Sequence, residues 1–268
     1  MSDKVVLITG GSSGIGKAIG SYLKQKGYRV YGTTRSISAH PDFNDFPLLE
    51  LDVREPKSIQ TAIHRLLEKE GRVDVLINNA GVGITGPLEE TPENAIMNAF
   101  DINFHGPLRM TKAVLPQMRK QKNGLIINIT SIAGYMGLPY RGIYSASKGA
   151  LELVSEALRM EVRSFGITVA NLAPGDYATN IAAGRFHTAA SKDSPYTTYA
   201  DTLNALNDDV DQGGDPIEVA KSILKIIAHP SPKIHYKVGA FLQKTSVSLK
   251  RLLPQKVFEK MLLKHYKL

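Results

Sequence analysis

A phenol and an ammonium stand four residues apart in the run Tyr144-Ser145-Ala146-Ser147-Lys148, and on a helix that spacing puts both on one face. Such a pair can move a proton. A free phenol has a pKa of about 10, so acid–base work near neutrality needs a shift of about 3 units, or about 4 kcal/mol. Two unit charges about 4 Å apart at an effective dielectric of about 20 interact by about 4 kcal/mol, so Lys148 is of the right order to favour the tyrosinate. Spacing alone does not decide. Tyr22 and Lys26 repeat the pattern, and 11 tyrosines in a lysine-rich chain make one chance pair expected.

A second constellation lies near the N-terminus. Thr9-Gly10-Gly11-Ser12-Ser13-Gly14-Ile15-Gly16 separates an apolar run at 5–9 from a helical stretch at 17–26 that ends at Gly27. In that strand-turn-helix context a dinucleotide pyrophosphate meets backbone N–H groups and the positive end of a helix dipole. Gly10 allows the turn, Gly14 lets phosphate approach the backbone, and Gly16 lets the helix lie against the strand. Ser12, Ser13 and Ile15 are the further contacts of the turn. The same residues spell Gly-x-Ser-x-Gly, the nucleophile elbow of α/β-hydrolases, with Ser12 as nucleophile. A serine hydrolase would need an acid and then a histidine. His187, His229 and His235 follow, but no flanking residues mark any of them as a base.

The elements that must hold these groups alternate along the chain. Strands read at 29–33 and 48–51, a helix at 56–70, an apolar run at 73–78 and a long helical region at 92–121. A buried strand at 125–129 precedes the helix at 144–165 that carries Tyr144, and a strand at 168–172 follows. After a long polar loop at 176–214, Asp215-Pro216-Ile217-Glu218 opens a helix as a capping box, and a last apolar run lies at 234–238. Alternation with continuously apolar strands predicts a single-domain, doubly wound α/β (Rossmann) fold. Its parallel sheet has about seven strands and carries helices on both faces. Residues 1–243 make that domain, with 176–214 as a functional loop, and 244–268 form a basic amphipathic extension.

The chain of 268 residues is 43% apolar, has no run of about 18 apolar residues and contains no cysteine. That excludes a spanning helix, disulfides, cysteine nucleophiles and thiolate metal sites, and no other metal site is read. No secretory signal reads at the N-terminus, so a cytoplasmic location is expected. The net charge of +8 sits in the tail: residues 221–268 hold eleven Lys or Arg and one acid, Glu259, or +10, which leaves 22 minus 24, or −2, for the rest. Nucleic acid is therefore not an expected partner. Val257, Phe258, Met261 and Leu262 recur at helical spacing among Lys256, Lys260 and Lys264, behind Pro254. Such a helix can make peripheral contact with an anionic membrane, pack on a partner subunit, or pack on its own domain.

The glycine turn, Asn78-Asn79-Ala80-Gly81 and the Tyr144/Lys148 pair together resemble the classical short-chain dehydrogenases/reductases, in order from Lys4 to about Gly239. Arg35 and the segment from Gly134 to Tyr140 look similar to the 17β-hydroxysteroid and retinol dehydrogenase branch. The resemblance implies hydride transfer between a nicotinamide and a carbonyl or alcohol. Tyr144 would be the acid/base, and Lys148 would lower its pKa and bond the nicotinamide ribose. Ser131 would hydrogen-bond the substrate oxygen, and Asn103 would hold a water that relays protons from Lys148. Asp52 and Val53 would lie beside the adenine, Asn79, Ala80 and Gly81 under the adenosine ribose, and Pro174 and Gly175 behind the nicotinamide, with Thr179 on its carboxamide. Met136, Tyr140 and Tyr177, with Ser131, would shape the substrate pocket. Asp176-Tyr177 departs from the small or apolar residue the family often places there. A homodimer or homotetramer built from the helices at 92–121 and 144–165 is also implied. A non-catalytic cofactor-binding sensor or scaffold would fit a chain lacking Tyr144, Lys148 or Ser131, and all three are present.

Cofactor choice follows from charge. An NAD site places a carboxylate at the end of the second strand, whereas the 2′-phosphate of NADP needs a cation. Here that strand ends Thr33-Thr34-Arg35; Thr34 stands where the acid would be, and the Arg35 fork suits phosphate. NADP(H) is expected over NAD(H). Apolar Ile84, Met136, Leu138 and Tyr177 would suit a lipophilic ketone or aldehyde, steroid- or retinoid-like.

Overall fold

The computed structural model describes residues 3–177, 185–191, 193–211 and 213–268. β1 (Val5–Ile8) leads through the glycine turn into α1 (Gly14–Gln25), and β2 (Arg29–Thr34), β3 (Leu48–Glu50), α2 (Pro56–Glu70) and β4 (Val75–Asn78) follow. Next come the two-residue β5 (Ile84–Thr85), α3 (Glu93–Phe100), α4 (Gly106–Gln121), β6 (Gly124–Ile129), α5 (Gly142–Glu161) and β7 (Ile167–Pro174). β8 (Phe186–His187), α6 (Tyr199–Asp211), α7 (Ile217–Ala228), β9 (His235–Val238), α8 (Phe241–Leu252) and α9 (Gln255–Tyr266) close the chain.

Seven strands form one parallel sheet in the order β3-β2-β1-β4-β6-β7-β9, the doubly wound arrangement expected. Every residue of β1 and β4 is buried, as parallel strands covered on both faces must be. Leu7, Leu76 and Ile126 face Ile59, Leu66, Met110 and Val114 of α2 and α4, and Ile8, Ile77 and Ile127 face Ile19, Leu23, Val219 and Ile223 of α1 and α7. The strand order reverses between β1 and β4. At such a switch point a crevice opens beyond the carboxyl ends of the strands.

Two expectations need correction. The helical region at 92–121 is two helices joined by a π-helical turn at Asp101–His105. Pro107 has no N–H to give the carbonyl of Asn103 four residues back, and the ladder widens so that the Gly106 N–H reaches the Asp101 carbonyl. The segment 176–214 is not a plain loop: it contains β8, paired with β5, and α6. α6 is anchored by buried Tyr199, whose hydroxyl donates toward the carbonyls of Thr188 (3.0 Å) and Thr85 (3.2 Å). α8 begins at Phe241, so body and extension share a helix across residue 243.

Candidate active site

The turn after β1 is fixed from across the switch point. Gly10 adopts φ +64°, a left-handed conformation that glycine takes without strain, and a Cβ on Gly16 would lie 2.2 Å from the Gly10 carbonyl oxygen. Asn79 Nδ2 donates to the carbonyls of Thr9 (3.0 Å) and Gly10 (3.1 Å), while Thr9 Oγ1 accepts the N–H groups of Asn79 (2.9 Å) and Ala80 (3.0 Å). The end of β4 therefore holds the end of β1. Beside it, Thr34 is buried at the end of β2 and Arg35 is exposed. Arg54, which the sequence reading passed over, forks onto Asp52 through Nε (3.1 Å to Oδ1) and Nη2 (2.6 Å to Oδ2). That hydrogen-bonded guanidinium holds the Asp52 carboxyl below the ordinary value, against the opposing effect of burial.

The other group of residues sits where β6 and α5 meet. Lys148 is buried, and its Nζ donates to the Ile129 carbonyl at 2.9 Å. Burial pulls the ammonium down to about 8, with the carboxylate of Glu152 resisting. Glu152 is held in turn by Thr130 (2.5 Å), Asn171 (2.8 Å) and His235 (2.8 Å). Ser131 caps a short 3-10 turn at Ile132–Tyr135, its Oγ accepting the Ala133 N–H at 3.2 Å, and it hydrogen-bonds the Tyr144 phenol.

Burial raises the Tyr144 phenol above its ordinary value and Asp176 adds to the rise, while Arg141, the Ser131 hydrogen bond and Arg185 resist it. The Arg141 guanidinium lies 5.6 Å from the centre of the Tyr144 ring. The cations that act most strongly on the phenol in this structure are Arg141 and Arg185. The reason is geometric, since the Lys148 ammonium is drawn to the carbonyl that ends β6. The look-alike pair has another fate. Lys26 lies over the Tyr22 ring at 5.4 Å, on α1 and outside the cleft.

A single cleft of about 600 Å³ joins the two groups. All the expected catalytic and cofactor residues line it except Gly16 and Asn103, which sit behind its wall, and Thr179, which lies outside the described residues. Asn103 is fully buried in the π turn; its Oδ1 accepts the Val82 N–H (2.8 Å), and its Nδ2 donates to the Val82 carbonyl (2.9 Å) and Ser147 Oγ (3.2 Å). A side chain on Gly81 would start 3.1 Å from Asn103 Oδ1 and 3.3 Å from Lys148 Nζ, so both atoms border that space. Of the expected substrate residues, Ser131 and Tyr177 line the cleft, and Met136 and Tyr140 do not. Met136 is packed instead among Ile132, Ala173, Val247 and Phe258. Tyr140 turns to α6, its hydroxyl 3.0 Å from Thr198 Oγ1 and its ring 5.1 Å from that of Tyr199.

Besides Arg54, three charged residues of the cleft were not assigned a role from sequence. Arg141 stands three residues before Tyr144, a helical spacing that could have flagged it. Asp176 was noted only as a departure; its Oδ2 accepts from Gln243 Nε2 of α8 at 2.7 Å. Arg185 carried no local signal. A glycine turn at a switch point, open to backbone N–H groups and continuous with a buried Lys, Ser and Tyr, fits a nicotinamide dinucleotide.

Comparison with known proteins agrees. The family model for short chain dehydrogenases matches residues 4–190. A 3-ketodihydrosphingosine reductase of Bacteroides thetaiotaomicron is 39% identical over 261 residues, covering 97% of this chain and 96% of that protein. The 17-beta-hydroxysteroid dehydrogenase type 1 of Mus musculus is 34% identical over 255 residues, covering 88% and 74%. Among solved structures, a short chain dehydrogenase/reductase from Burkholderia phymatum in complex with NAD superposes with a TM-score of 0.80 at 25% identity, covering 97% and 95%. ElxO with NADP bound gives 0.70 at 26%, covering 88% and 97%. That family match covers Ser12 and its glycine turn, and the hydrolase reading lapses. The chain belongs to the short-chain dehydrogenases and is an oxidoreductase.

Proposed function

We propose that the protein is an NADP(H)-dependent reductase of a lipophilic ketone or aldehyde, which in reverse oxidises the alcohol. The observation that carries the reading is the meeting of Tyr144, Ser131 and Lys148 at one end of a cleft whose other end offers Arg35 beside Thr34. A cation stands there and the strand ends in no carboxylate, which favours a 2′-phosphate.

When bound, the nicotinamide supplies the hydride. The chain supplies position and a proton. The Ser131 hydroxyl donates to the carbonyl oxygen, and Tyr144 gives its proton to that oxygen as negative charge develops there. Lys148, still mostly charged at neutral pH with a pKa near 8, would hold the cofactor ribose and steady the phenolate. Pro107 leaves the Asn103 carbonyl without an α-helical donor, which suits Asn103 to hold a relay water. Ile84 and Tyr177 give the substrate end apolar surface. With a 3-ketodihydrosphingosine reductase 39% identical along almost the whole chain, a long-chain keto lipid is the first substrate class to test. Ketones, aldehydes and alcohols of graded chain length, followed by nicotinamide absorbance with both cofactors, provide that test. The reading expects long-chain ketones to turn over faster with NADPH than with NADH. Preference for short polar substrates, or for NADH, would overturn it.

A further inference from the structure

α8 and α9 contribute no strand and no reacting group and do not themselves line the cleft, yet they back residues that do, Asp176 and Arg141. Val247 of α8 and Phe258 of α9 are buried against Ile132, Met136 and Ala173, next to Ser131 and Pro174. Lys250 Nζ donates to the Tyr135 carbonyl at 2.9 Å, Gln243 binds Asp176, and the Arg141 guanidinium donates to the Tyr266 phenol oxygen. The inward faces of both helices are thereby accounted for.

The outward faces carry what a solvated surface does not need. Phe241, Leu242 and Leu252 are 75%, 79% and 80% exposed, and Val257, Met261 and Leu263 are exposed on α9. Phe241 and Leu252 share one face of α8 with Thr245 and Ser248. Residues 241–268 hold seven Lys or Arg and one acid, Glu259, a net +6, while the body outside the basic tail is slightly negative. Large apolar side chains ringed by cations are the composition of a helix seated in an anionic bilayer interface. A second copy of the chain is a poorer occupant, because a two-fold contact would set +6 against +6. No helix among the described residues is long and apolar enough to cross a membrane, so the contact is with the surface.

We propose that α8 and α9 seat the protein on an anionic lipid surface, so that substrate passes from the bilayer into the cleft beside Asp176 and Arg141, the cleft residues these helices back. The docking stands on the helices alone; the passage of substrate rests on the lipophilic-carbonyl reading above. The experiment sediments the full chain with vesicles of phosphatidylcholine, alone and with phosphatidylglycerol. Binding is expected only to the anionic vesicles. It should fall at least tenfold between 0.1 M and 1 M salt, as the screening length drops from about 10 Å to about 3 Å. Phe241→Ser/Leu242→Ser/Leu252→Ser and Lys256→Gln/Lys260→Gln/Lys264→Gln should each lose at least tenfold in binding. Both should keep the parental circular dichroism and parental turnover of a short, water-soluble ketone. Equal binding to both vesicle types, or parental binding by both variants, would overturn the docking. A change of oligomeric state in the triple-serine variant without loss of vesicle binding would overturn it in favour of a second copy. Anionic binding without faster turnover of a vesicle-borne long-chain ketone would leave docking standing and overturn the passage of substrate.

Discussion

Tyr144 and Lys148 are one turn apart on α5 but answer to different surroundings. Lys148 is deprotonated more readily than a free lysine because burial disfavours its charge, with a folded pKa of about 8 against 10.5. Between those values the unfolded chain holds a proton that the folded chain has released, so stability rises with pH from about 8 upward. The full difference is about 3 kcal/mol, and the window closes near pH 10, where unfolded tyrosines begin to titrate. Chemical denaturation between pH 7.5 and 9.5 should therefore show a slope in the parent that Lys148→Met lacks; equal slopes would contradict it. Arg35 is the second residue with a separable effect. A hydrogen bond to a charged group contributes about 1.5–3 kcal/mol, so Arg35→Ala should lower the NADPH/NADH ratio of kcat/KM roughly ten- to a hundredfold. At this scale the sequence was legible where context ranked the residues. Tyr144 outranked Tyr22 because it follows the strand that delivers Ser131. Arg185 was not legible, because its place beside Tyr144 is a tertiary contact between residues far apart in sequence.

The elements were legible as far as local rules set them. Continuous apolar runs marked β1, β4 and β6, and the Gly10 turn marked the start of α1. The π turn was not, because Pro107 and Pro116 both fall within a helical pattern and only Pro107 sits where the helix widens. That turn buries Asn103 against Val82 and Ser147, beside Lys148, where the proposed relay water would sit. Pro107→Ala restores the missing N–H and lets 101–105 close as ordinary helix. The expected outcome is an unchanged or higher melting temperature with kcat reduced at least about tenfold, the low end of effects on proton transfer. Unchanged kcat would mean the turn is only structural. α6 was likewise hidden in a polar stretch, because its anchor, Tyr199, finds its partners at Thr85 and Thr188 rather than nearby in sequence.

For the whole molecule, charge and apolar surface divide the labour. The tail carries the positive charge, while α3 and α5 expose Met97, Leu153 and Met160, apolar side chains on the helices expected to join subunits. Light scattering should report a dimer or tetramer, and Leu153→Glu/Met160→Glu should shift it toward monomer. A parental mass in that variant would place the interface elsewhere. The fold was legible because alternation and the switch point are global patterns written in local runs. The shape of the substrate end was not, because α6, α8 and α9 reach it from distant parts of the chain and draw Met136 and Tyr140 out of the cleft. The central claim is that Tyr144 moves the proton to the carbonyl oxygen, and Tyr144→Phe tests it most directly. With NADPH and the best ketone, kcat should fall about 10²- to 10⁴-fold while NADPH binding by fluorescence stays near the parental value. Reduction at the parental rate would contradict the account.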